Sequence, residues 1–147
     1  MKRFKFRLEK ILELRKYRER ETEIALGKAV GELNEIERKI ADIAEERLRM
    51  AQFVPNGTAD ILAFDRYIVR LDTTKAAFLE KASRAERIVE EARTLYLEAS
   101  RDRKVLDSIK ERQQKEYQDY IFAEETKELD DIASGVKARR LAAGGGV

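Results

Sequence analysis

Apolar side chains recur at alternating steps of three and four residues along two long stretches of this chain. The first stretch runs through Leu26, Ala29, Leu33, Ile36, Ile40 and Ile43, breaks at Arg47 and resumes at Met50. That spacing lines one face of a helix with a narrow a/d seam, the pattern of a coiled coil. The second stretch begins near residue 60 and keeps its phase from Phe64 through Ile68, Leu71, Phe78, Ala82, Val89, Tyr96, Ala99 and Leu106 to Tyr117 and Tyr120. Only Lys75, Arg103, Lys110 and Gln113 interrupt it. A seven-residue repeat held this long implies a supercoiled pair of helices rather than a compact bundle. Small residues from Ala82 to Ala99 would let two backbones approach closely.

Upstream of Leu26 the pattern weakens. Leu8, Ile11, Leu12 and Leu14 form one apolar patch, and residues 15–23 offer almost nothing apolar to a seam. Their helix propensity is high, so the expectation is helix without a good partner. Between the two runs lies the only proline, Pro55, in Phe53-Val54-Pro55-Asn56-Gly57-Thr58. Asn56-Gly57 suits a turn with positive φ, and Thr58 or Asp60 suits an N-cap. The sequence therefore predicts an all-α antiparallel coiled-coil hairpin whose second helix is the longer. A single domain over residues 1–141 is expected, with a helix at about 4–53, a loop at about 54–59 and a helix at about 60–141. Residues 142–147 are expected to be a flexible tail. Folding about residues 56–57 places Phe4 near Ile109 and leaves everything past about Lys110 unpaired. That overhang is on the order of 30 residues, or about 45 Å at the rise of a helix.

Composition sharpens this picture. Of 147 residues, 41 % are charged, with 31 basic and 29 acidic side chains. An ordinary globular domain has about 25 %. Opposite signs interleave at helical spacing, as on a solvated coiled coil. Absence of Cys and His excludes disulfides, thiolate nucleophiles and the usual zinc sites. No cofactor and no catalytic residue is expected. Adjacent carboxylates such as Glu45-Glu46 and Asp130-Asp131 point about 100° apart on a helix and read as solvated faces. Gly27 and Gly31, four apart, are spaced to admit a neighbouring helix. The Asn56-Gly57-Thr58 glycosylation pattern reads as a turn. The N-terminus holds no apolar leader and no stretch is long enough to span a membrane, so the expected compartment is the cytoplasm.

Residues 1–20 hold nine Lys or Arg against three Glu, with charge at every second position at the start. A basic helix carrying an apolar patch suits an acidic groove or ring on another protein. A nucleic-acid-binding coiled coil and a structural dimer paired through the second helix are the alternatives. The small net charge of +2 argues against nucleic acid as the partner.

Phe4-Lys5-Phe6-Arg7-Leu8, followed by Ile11-Leu12, Leu14-Arg15 and Glu19, resembles the N-terminal signature of the FliJ family of flagellar type III export proteins. Length, a single break near residue 55 and two long helices fit as well. The resemblance implies a non-enzymatic stalk-like coiled coil, cytoplasmic and peripheral to the inner membrane at the flagellar base. Its implied partners are the hexameric export ATPase, the export gate protein FlhA and export chaperones. The resemblance places Phe4, Phe6, Leu8, Leu12 and Arg15 at the ATPase ring, and the charge pattern adds Arg18 and Arg20. It places Tyr67, Leu71, Thr74 and Phe78 at the gate. Leu71 and Phe78 also lie on the seam, whereas Tyr67, one position before it, is expected to be freer.

Overall fold

The computed structural model describes residues 3–144. Two helices make up nearly all of it: α1, Glu9–Met50, and α2, Thr58–Gly144. They pack against one another as an antiparallel hairpin with the second helix the longer, as expected. Residues 142–144, expected in a flexible tail, are the last turn of α2. Residues 145–147 of that tail lie outside the described residues, as do Met1 and Lys2.

α1 begins five residues later than expected, and the reason is in the pattern. Phe4, Lys5, Phe6, Arg7 and Leu8 alternate apolar and basic side chains, a period of two that belongs to extended chain. Residues 3–6 carry no helix; Phe4 is half-buried and Phe6 buried, while Lys5 and Arg7 are exposed. This N-terminal strap delivers apolar side chains onto α2. Phe6, Leu12 and Leu106 form a buried cluster, with Phe4, Leu8 and Ile109 packed around it. Because an extended residue advances about 3.3 Å against 1.5 Å in a helix, Phe4 reaches past Ile109. Its ring lies 5.6 Å from that of Tyr117. The unpaired part of α2 therefore starts beyond Tyr117 rather than at Lys110. Lys110 itself bridges to Glu9 at 2.9 Å.

The chain divides into two compact units, one holding residues up to Leu14 with those from Asp102 onward, the other Arg15–Arg101. The first contains the strap cluster just described. In the second, Ala29, Ala82, Val89 and Ala99 are buried, so the close approach expected from small residues is realised. Gly27 and Gly31 face open space instead of a neighbouring helix. Arg15, Glu19 and Thr22 are half-buried in phase with Leu26 and Ala29, so residues 15–23 continue the seam with polar side chains and are not a bare helix.

The connection sets the stagger. α1 tightens at its end, where Gln52 and Phe53 donate to carbonyls three residues back, on Arg49 and Met50. Gly57 takes φ 94° and its carbonyl accepts the first α2 bond, from Ile61. The expected cap at Thr58 or Asp60 is thus replaced: Gly57 caps, and the Asp60 carboxylate reaches back to the Asn56 amide at 3.3 Å. An acid in the first turn also suits the helix dipole. Phe53 stacks on Phe64, Lys39 sits over Phe78, and Arg47 pairs with Asp72 at 2.5 Å. These partners lie about one helical turn further along α2 than a symmetric fold gives. The start of α2 consequently projects past the end of α1.

Leu12 and Leu14 separate two roles that the sequence pattern merges into one patch. Leu12 is 0 % exposed and Leu14 69 %. Leu12→Ala is expected to cost about 2–5 kcal/mol, and Leu14→Ala about 0.5 kcal/mol or less. Urea titration of the helical circular dichroism checks both; equal losses would contradict this assignment of the core.

Candidate partner-binding surfaces

At the N-terminal end, the structure turns most of the expected contact residues inward. Phe6 and Leu12 are buried, and Phe4 and Leu8 are half-buried against them. Arg15 is half-buried on the seam register and already engaged in an interaction. Arg18 and Arg20 are exposed. Of the apolar patch, Ile11 and Leu14 stay exposed, and Tyr17 joins them. Ile11, Leu14 and Tyr17 each leave about half or more of their surface in solvent. Arg7, Lys10 and Lys16 are exposed beside them. Ile11 and Leu14, three apart at the start of α1, lie on one face of the helix. Glu21 accepts from the Tyr17 hydroxyl and its charge opposes phenolate formation, so the Tyr17 pKa is raised.

Near the start of α2, Tyr67, Leu71, Thr74 and Phe78 are all half-buried. Leu71 and Phe78 serve the seam. The Lys81 and Lys39 ammonium groups lie 5.1 Å and 5.6 Å from the centre of the Phe78 ring, two cation–π contacts. Tyr67 is less free than its position suggested: its hydroxyl donates to Glu46 at 2.7 Å, across the hairpin. Arg49 holds the other oxygen of Glu46 at 2.6 Å. What is open here is a shallow groove of about 260 Å³ lined by Met50, Phe53, Asp60, Ala63, Phe64 and Tyr67. Val54, Ile61 and Leu62 are exposed nearby in sequence. Ile61 keeps the heptad phase, but α2 projects past α1 there and leaves it nothing to pack on.

Among the described residues, no group of three or more acidic side chains is placed to hold a metal ion. No helix is long and apolar enough to cross a membrane. The sequence model described as flagellar FliJ protein matches residues 4–141. The chain belongs to the FliJ family. Among curated proteins and solved structures, none matches. FliJ is a family of flagellar export proteins and not a known enzyme family, so the surfaces above are those of a flagellar export component. Within the matched span the strap and its buried cluster account for the signature Phe4, Phe6, Leu8 and Leu12 as packing residues.

The Tyr67–Glu46 bond makes the hairpin sensitive to pH at both extremes. The tyrosine hydroxyl, more than the nearby Arg49, holds the Glu46 carboxyl below its ordinary 4.5. A depressed acid stabilises the fold above pH 4.5 and loses that contribution as pH falls through its lowered value. Glu46, through the same bond, holds the Tyr67 hydroxyl above its ordinary 10.0. That contribution is complete below pH 10 and lost as pH rises through the raised value. Tyr67→Phe is expected to flatten both limbs of a plot of urea midpoint against pH; a profile identical to the parent's would remove the bond from the stability of the hairpin.

Proposed function

We propose that this FliJ-family chain is a stalk-like coupling protein of flagellar type III export. In this reading its N-terminal end enters the hexameric ring of the export ATPase, the start of α2 meets the export gate protein FlhA, and export chaperones are escorted by the same hairpin. It works in the cytoplasm, at the inner-membrane face of the flagellar base, and hydrolyses nothing itself.

The observation that carries this reading is the exposed pair Ile11 and Leu14, with Arg7 and Lys10 exposed beside them, at an end of α1 braced by a buried cluster. Apolar side chains flanked by basic ones suit an acidic, partly apolar wall. The brace fixes that helix end before binding, so less ordering cost falls on association. To stimulate a ring, the stalk must bind one of its conformations better than another. At the gate end, the groove beside Tyr67 and the projecting start of α2 offer apolar surface that the hairpin does not use.

Arg18→Glu combined with Arg20→Glu tests the ring contact better than Arg15→Glu, because Arg15 is half-buried and already engaged within the chain, whereas Arg18 and Arg20 are exposed. Stimulation of ATP hydrolysis by the purified export ATPase is expected to fall about tenfold or more, the effect of roughly 1.4 kcal/mol lost from the productive complex. Helical circular dichroism should not change. Full stimulation by the double variant would overturn this placement.

A further inference from the structure

The apolar stripe of α2 changes phase where the hairpin stops supporting it. Carried past Tyr120, the hairpin seam runs through Glu124, Lys127, Asp131 and Ser134, all polar. The apolar side chains move instead to Phe122, Leu129, Ile132 and Val136, which again step in threes and fours when Glu125 is included. Phe122 is 71 % exposed and Ile132 63 %. This is a second seam, on a different face from the first, and nothing in the described chain covers it.

The second seam carries a preformed hole. Ile132, Gly135, Val136 and Arg139 sit at i, i+3, i+4 and i+7 and, with Asp131, line a notch on the helix surface. Four residues at that spacing form the socket that receives one side chain of a facing helix in coiled-coil packing. Gly135 deepens it, since a side chain there would meet only open space.

Charge selects the occupant and its direction. From Glu116 to Asp131 the only basic side chain is Lys127, against seven acids, whereas Lys137, Arg139 and Arg140 follow with no acid among them. Two copies running the same way would set like charges face to face. Two copies running oppositely set each basic end against the other's acidic stretch. We propose that this part of α2 pairs with a second copy of the chain as a short antiparallel coiled coil about a twofold axis near Ile132. The layers then match throughout. Ile132 meets the partner's Ile132, Leu129 fills the notch beside the partner's Gly135 and Val136, and Glu125 meets the partner's Arg139. Phe122 lies over the partner's Ala142. A twofold contact repeats each of these layers off the axis. The pairing is independent of the ring reading, since it uses neither the strap nor α1.

Sedimentation equilibrium on the full chain, from about 5 to about 500 µM, tests the pairing because a self-associating chain depends on its own concentration. The apparent mass is expected to rise from 17.1 kDa toward twice that value. Ile132→Asp should remain monomeric with unchanged helical circular dichroism. Glu125→Arg and Arg139→Glu should each weaken association about tenfold, and the double exchange should restore it to within about threefold. Positions 125 and 139 are about 21 Å apart along one helix, so the restoration requires contact between copies. A parallel pair would show none. A monomeric mass throughout would leave the face to a different protein and overturn the proposal, as would a double variant no better than the singles.

Discussion

A hairpin of two helices has one place to put apolar surface, the line along which they touch. Every other face meets water, so the seam must supply what a globular core supplies elsewhere. Here that line is narrow. Its buried members between Arg15 and Arg101 are mostly small, with Ala29, Ala82 and Ala99 beside Val89. Small residues bring the backbones together, but each buries little area. The large buried side chains gather at the strap, where Leu12 is fully enclosed with Phe6 and Leu106. The end of α1 is closed differently, by the Phe53–Phe64 stack and the Arg47–Asp72 pair. A thin seam closed in this way resists fraying where helices are weakest.

The seam also explains which parts of the fold could be read from the sequence. From Phe64 to Lys110 every position assigned to the α2 seam is buried or half-buried, because side-chain spacing and burial report the same geometry. The reading fails at Gln113 and Tyr120, which are exposed. Both keep the heptad phase, but phase does not say where the partner ends. Residues 15–23 fail in the opposite sense. Hydrophobicity shows no seam there, yet Arg15, Glu19 and Thr22 continue it, and only an unbroken count of three and four from Leu12 to Leu26 finds them. The strap is legible in residues 4–8, whose alternation has the period of extended chain and not of the helix expected from residue 4. The stagger of the hairpin was not legible, since it depends on how residues 51–57 travel along the helix axis.

The candidate sites were legible to a different degree. Phe4, Phe6, Leu8 and Leu12 look like a binding motif when read as a string, because apolar side chains amid basic ones suggest a surface. Folding consumes them. In this chain the residues that resemble the family signature brace the N-terminal end, and the side chains left in solvent are the ones between them. The same logic applies near the start of α2. Phe78 is held beneath two ammonium groups and Tyr67 is tied to Glu46, so both shape the hairpin first. What remains open there is the groove lined by Met50, Phe53, Asp60, Ala63, Phe64 and Tyr67.

Beyond Tyr117 the energetics change, because α2 continues with no helix alongside it. An isolated helix of this length is marginal in water, chiefly because nucleation is costly. Continuity with the packed part of α2 removes that cost, and the Glu, Lys, Ala and Leu content favours propagation. Ser134 and Gly135 oppose it in the middle. This stretch therefore lacks the side-by-side packing that supports the rest of α2 and gains from being covered. A partner that packs against Leu129, Ile132 and Val136 adds burial and suppresses fraying at the same time, so binding and ordering are coupled there. Self-association would keep this apolar face out of water.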